Sequence, residues 1–195
     1  MTNVIGTSDR RQPRFPTSAD ARTAYGAPPP SPAAAGRWRA EPVRPCDAPA
    51  LHALFAACSP ETVRLRFFGP VRALPAEYLE QVLAGRPERH DAVVAYARGG
   101  SRARLTGLAS LALPADATAA ELGVLVGDPW QRQGAGRAML ELLLDRARAR
   151  GVRRVAATVL PGRPTLLGAL ARHLPVARVA YTSDGPSGVY KLDGP

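Results

Sequence analysis

Lysine is almost missing from this chain. Lys191 is the only one in 195 residues, so nearly all of the 26 basic side chains are arginine. Set against 16 acidic residues, they leave a formal charge of +10. The planar guanidinium suits phosphates and carboxylates. A general preference for arginine over lysine accounts for most of the excess, so the charge permits an anionic ligand without naming one. Cysteine and histidine are also scarce. Cys46 and Cys58 lie too far apart for a CxxC pair, and His52, His90 and His173 fall at no ligand spacing. A structural zinc site is therefore excluded, no metal is expected, and the thiols read as buried or idle in a reducing compartment. No apolar run approaches the ~20 residues that a membrane span requires. The twin arginines of "SDRRQPRF" are followed by prolines and polar residues, which excludes an export signal. A soluble, cytoplasmic protein with no membrane association is the expectation.

What is present divides at residue 36. Residues 1–36 are rich in Pro, Ala, Ser, Thr and Arg and end in "GAPPPSPAAAG". Such a segment cannot bury enough apolar area to offset its ordering entropy, so it reads as a disordered tail. Residues 37–195, within a chain that is 46% hydrophobic, are enough for one packed domain. "WRAEPVRP" reads as a first strand. "DAPALHALFAACS" reads as a helix with Asp47 as N-cap. "SPETVRLRFF" carries Ser59 as cap with Pro60 at the first helical position, and "LPAEYLEQVLAG" is a third helix stopped by Gly85. "DAVVAYARG", "RLTGLASLALP" and "AAELGVLVGDP" then form an antiparallel meander. A long helix follows, with Met139, Leu140, Leu143, Leu144 and Ala147 as its core stripe and Gly151 closing it. "VRRVAATVLP" is a strand, "GRPTLLGALARHLP" a helix, and "VARVAYTS" with "SGVYKLDG" a closing hairpin. The order predicts a mixed α/β (α+β) domain with a parallel strand neighbour across the long helix.

The chemistry centres on "DPWQRQGAGRAML". A glycine turn joins a strand to the long helix, whose first N–H groups have no intrahelical partner. Gly134 and Gly136 carry no side chain to keep an anion away, and Arg132 and Arg137 add positive charge. A pyrophosphate needs this combination. A Walker loop would require Gly-Lys-Ser/Thr where Arg137-Ala138 stands, and a dinucleotide fingerprint would require a third glycine where Met139 stands.

The remaining pattern, Gln-x-x-Gly-x-Gly from Gln131 to Gly136, resembles the acyl-CoA signature of the GNAT superfamily of N-acyltransferases. The order of elements matches that fold from Trp38 to Asp193. It implies a mostly antiparallel sheet of six to seven strands flanked by helices, with the cofactor cleft around residues 121–137. "SPETVRLRFFGPVRALPAEYLEQV", "RHDAVVAY", "AELGVLV" and "DPWQRQGAG" are further similar to bacterial Pat-type protein-lysine acetyltransferase domains. The resemblance implies acetyl transfer from acetyl-CoA, as co-substrate, to a primary amine, most simply a protein lysine. A small amine such as a polyamine or antibiotic is the alternative acceptor, and a non-catalytic acyl-CoA sensor is the alternative of another class. The resemblance makes Glu121 the general base, acting through water, with Gly123 leaving room beside it for a substrate chain. Backbone groups of Val124, Leu125 and Val126 would bind the pantetheine arm. Gln131, Arg132, Gln133, Gly134, Ala135, Gly136 and Arg137 would hold the pyrophosphate.

One segment departs from the family pattern. Relatives carry an Asn in "LPENRPM"-like sequences, whereas this chain reads "LPGRPT" from Leu160 to Thr165, and the following helix has no tyrosine to protonate a leaving thiolate. Among the remaining polar residues, His90 heads a strand that could bring it to the cleft but reads as a surface or partly packed imidazole, and Glu77 and Glu80 read as a solvated face. Arg64, Arg66 and Arg72 read equally as a substrate rim or a solvated basic face. Nucleic-acid binding rests on charge alone and ranks last. An exposed strand edge near the end is compatible with a homodimer, but nothing selects one.

Overall fold

Strand β2 (His90–Ala97) is buried along its whole length, because helices cover both faces of the sheet it belongs to. The computed structural model describes residues 37–98, 104–114, 117–161 and 165–192. The expected tail over 1–36 lies outside the described residues. Strand β1 (Trp38–Pro42) leads through a 3-10 turn (Pro45–Asp47) into α1 (Ala48–Ala56), α2 (Pro60–Phe67) and α3 (Ala76–Leu83). After β2 come β3 (Arg104–Ala112), β4 (Ala120–Val126), a second 3-10 turn (Asp128–Trp130) and α4 (Ala135–Ala149). The chain continues through β5 (Arg154–Thr158), α5 (Thr165–Ala171), β6 (Val176–Thr182) and β7 (Gly185–Lys191).

The seven strands form one sheet in the order β1-β2-β3-β4-β5-β7-β6. Every neighbouring pair is antiparallel except β4 with β5, the pair that α4 connects. This is the expected mixed, mostly antiparallel α+β architecture. Two cores lie on its faces. On one, Met139, Leu143 and Ala147 of α4 pack with Val155 of β5 and Leu167 and Leu170 of α5. On the other, Leu51 and Phe55 of α1, Val63 of α2 and Val82 of α3 pack onto Val94, Leu108 and Leu125. Full burial of a Leu side chain contributes about 1.5–3 kcal/mol, so these stripes fix the sheet against its helices.

Local signals set most boundaries. The Ser59 hydroxyl accepts the Thr62 N–H at 3.2 Å and starts α2 as a cap should. Gly151 adopts φ +77 just beyond α4, the left-handed conformation that ends a helix. Asp47 departs from its expected role. Its side chain caps no α1 N–H. The carboxylate instead accepts from the Arg44 N–H at 2.8 Å and from the Tyr96 hydroxyl. The first strand also stops at Pro42, earlier than "WRAEPVRP" suggests, because Pro45 opens the 3-10 turn.

Candidate active site

Strand β4 pairs with β3 from Glu121 opposite Ala112 to Val126 opposite Gly107. Its pairing with β5 is limited to Ala120 with Val155 and Glu121 with Ala156. Strand β5 itself continues along β7 as far as Thr158 opposite Ser187. The two parallel strands therefore part beyond Glu121 and leave a wedge between them. The Gly127 N–H donates to the Thr106 carbonyl at 2.9 Å, which sets the alternation of the ladder. Glu121, Gly123 and Leu125 turn their backbone groups to β3, while Val124 and Val126 turn theirs to the wedge. Of the three residues expected to line a pantetheine arm, Val124 and Val126 thus face it with backbone. Leu125 spends its backbone on β3 and buries its side chain among α1–α3.

The glycine turn lies at the mouth of this wedge. A Cβ placed on Gly136 would stand 3.7 Å from Val126 Cγ2, so the start of α4 abuts the end of β4. Gly134 is the N-cap at φ +100, and no side chain caps the helix. Among the described residues, no backbone carbonyl accepts the N–H groups of Arg132 through Arg137. The carbonyls are drawn the other way: Trp38 Nε1 donates to Gln133 O at 2.8 Å, and Trp130 packs edge-on against Trp38 at 5.9 Å. A row of free N–H groups at an uncapped helix start fits a diphosphate. The side chains contribute less. Gln131 Nε2 donates to Thr62 Oγ1 at 3.0 Å and to Val126 O at 3.1 Å, and Gln133 Nε2 donates to Pro129 O. Arg137 pairs with Glu141 at 2.6 Å, and Arg132 is exposed.

Asp128 ties this turn to α2. Its carboxylate accepts the Ser59 N–H at 2.8 Å, the Ser59 hydroxyl at 2.7 Å and the Thr62 hydroxyl at 2.8 Å. Burial pushes this carboxyl up, but the hydrogen bonds from Ser59 and Thr62 outweigh it and hold it below the usual range. Sequence reasoning found the Ser59 cap but not this tether, whose partners lie 66 to 69 residues apart.

On the side of β4 that faces α1–α3, Glu121 is exposed and Gly123 follows two residues on. The room expected beside Gly123 is filled. A Cβ there would collide with Arg66 Nη2, so the guanidinium lies directly on the glycine. That nitrogen donates to Tyr78 Oη at 2.9 Å and reaches Ser110 Oγ at 3.5 Å. Ser110 stands opposite Gly123 in the ladder. Neither Tyr78 nor Ser110 stood out in the sequence. His90 is buried, with its ring edge-on to Tyr78 at 5.6 Å and Nδ1 at 3.3 Å from Gln81 Oε1. Burial and then the Arg66 charge lower its pKa, against a weaker opposing pull from Asp91. Arg64 pairs with Glu61 at the surface, and Arg72, Glu77 and Glu80 are exposed.

Residues 162–164, where the expected Asn is missing, lie outside the described residues. Helix α5 has no tyrosine. Tyr190 on β7 donates its hydroxyl to Leu167 O at 2.9 Å, and burial pushes it up to about 12. Among the described residues no cluster of His, Cys, Asp and Glu is arranged for a metal, and no helix is long and apolar enough to cross a membrane.

The profile of the acetyltransferase (GNAT) family matches residues 50–172. The chain belongs to the GNAT family of acetyltransferases, and its activity is that of an acyl-CoA-dependent N-acetyltransferase. The fold is similar to the GNAT domain of S. lividans PAT, with a TM-score of 0.67 and 23% identity over 79% of this chain and 90% of that one. An acetyltransferase from Thermus thermophilus gives a TM-score of 0.56 and 25% identity over 80% of this chain and 96% of that one. The ribosomal-protein-S18-alanine N-acetyltransferase from Escherichia coli gives 0.55 and 17% identity over 81% and 96%. No curated protein matches the sequence.

Proposed function

We propose that the protein transfers an acetyl group from acetyl-CoA to a primary amine presented by a protein lysine, with Glu121 as general base. The reading rests above all on the wedge that opens between β4 and β5 past Glu121, with the free N–H groups of Arg132–Arg137 at its mouth. Acetyl-CoA supplies the activated acyl group. The amides of Gly134–Arg137 hold its diphosphate, and the backbone of Val124 and Val126 guides the pantetheine arm along the wedge. A β4 N–H facing the wedge donates to the thioester oxygen as negative charge develops there. An ammonium is no nucleophile, so its proton must leave first, and Glu121 takes it through water. The protein-lysine acceptor follows from the Pat-like segments and from the likeness to the S. lividans PAT domain.

Glu121→Gln tests the base. The variant should bind CoA as the wild type does while losing about 10²- to 10⁴-fold in turnover at neutral pH. Free CoA release from acetyl-CoA and a lysine-containing protein panel reads the loss, and calorimetry reads the binding. Undiminished turnover removes Glu121 from this role.

A further inference from the structure

Arg66 makes no ion pair with any of the described residues. Its neighbours in kind are matched: Arg64 meets Glu61, and Arg146 and Arg150 share the buried carboxylate of Asp91. Arg66 is half-buried against Gly123, with its guanidinium carbon 4.9 Å from the Phe67 ring centroid and 5.0 Å from that of Tyr78. Among the described residues, its only hydrogen bonds run from Nη2 to the neutral hydroxyls of Tyr78 and Ser110. A guanidinium has five N–H donors, so the Nε and Nη1 groups remain without an acceptor among the described residues. Withdrawing a cation from water without an anion is costly. Here the cation is also held in place, between two aromatic rings and two hydroxyls. Tyr78 is in turn packed edge-on by Phe67 at 5.8 Å and by His90 at 5.6 Å.

We infer that Arg66 is a specificity residue that binds a carboxylate carried by the amine acceptor. This deepens the acceptor reading above and rests on it. Arg66 lies on the same face of β4 as Glu121, two residues along the strand, a span of roughly 7 Å. An amine at Glu121 and a carboxylate at Arg66 are thus separated by a chain of several atoms. Unpaired, the guanidinium repels an incoming ammonium; once paired, it docks the acceptor through a charge-assisted hydrogen bond from Nη1 or Nε. The carboxylate comes either from an acidic residue beside a protein lysine or from the free carboxyl of a lysine-like amino acid.

Two matched pairs of acceptors separate these sources and test the inference. The first is a capped lysyl-glutamyl dipeptide against its lysyl-glutaminyl counterpart; the second is Nα-acetyl-lysine against its amide. With wild-type protein and saturating acetyl-CoA, the acid member of at least one pair should show kcat/KM at least tenfold higher, carried mainly by KM. Arg66→Gln should bring that ratio close to one, while Arg66→Lys keeps part of it. Ratios near one in the wild type, or a preference that survives Arg66→Gln, overturn the inference. Calorimetry of the same pairs with CoA present reads the preference without turnover. If no acceptor is acetylated, the base and acceptor reading fails on its own; equal binding of acid and amide then overturns the carboxylate site separately.

Discussion

Gly134 and Gly136 serve one turn by different means. At φ +100, Gly134 adopts a backbone that side chains resist, and a Cβ would also come within 3.4 Å of the Trp38 ring. Gly136 has no such need, since a Cβ would meet only Val126 Cγ2 at an ordinary 3.7 Å. Both were legible in the sequence as a motif, and the geometry separates the one that shapes the turn from the one the fold would tolerate as alanine. Glu121 was singled out by the family resemblance, and strand alternation puts it on one face with Gly123 and Leu125. Arg66 was not: three arginines near "FFGP" look alike in one dimension, and only the packing of α2 on β4 selects the one that lies on Gly123. His90 shows the same limit and carries a prediction. Its lowered pKa means that the folded chain resists protonation more than the unfolded chain does. Stability should therefore fall as pH drops from neutrality through ~6.5 toward the folded value. Melting temperature against pH between 7.5 and 5.5 should slope less for His90→Asn than for the wild type, since His52 and His173 are exposed in both. Parallel slopes would show that His90 is freely hydrated.

Helix α2 and the glycine turn behave as one element through Asp128. Capping residues announced the start of α2 and the end of α4, because a cap is a local rule. The tether was invisible for the opposite reason, since it joins Ser59 and Thr62 to a carboxylate that follows only after β2, β3 and β4 in the chain. Asp128→Ala removes three acceptor contacts to a partly exposed carboxylate, and a loss of about 1–2 kcal/mol is expected in denaturant unfolding. The same variant should weaken CoA binding, because Gln131 bonds both Thr62 and Val126 across this junction. Its depressed pKa keeps the tether ionised until pH falls below the ordinary carboxylate range of ~3.9, so the difference between variant and wild type should persist at pH 5. Unchanged stability together with unchanged CoA affinity would dismiss the tether as decoration.

Across the whole molecule, the order of elements was legible because periods of two and of 3.6 alternate along the chain. The parallel step from β4 to β5 followed from the long helix between them. The wedge was not legible, since strand divergence depends on where pairing stops, and both strands read as regular. The large positive charge likewise has a structural share that composition hides: Arg146 and Arg150 clamp Asp91, buried to 3% exposure, and bind α4 to β2. All functional steps depend on one placement, the diphosphate of coenzyme A on the amides that open α4. The most direct measurement is a backbone-amide NMR titration of the protein with CoA. The largest shifts should fall on Arg132–Arg137, with a second set on Val124 and Val126. A saturable titration that leaves those amides unmoved while others shift would place the cofactor elsewhere and contradict the assignment.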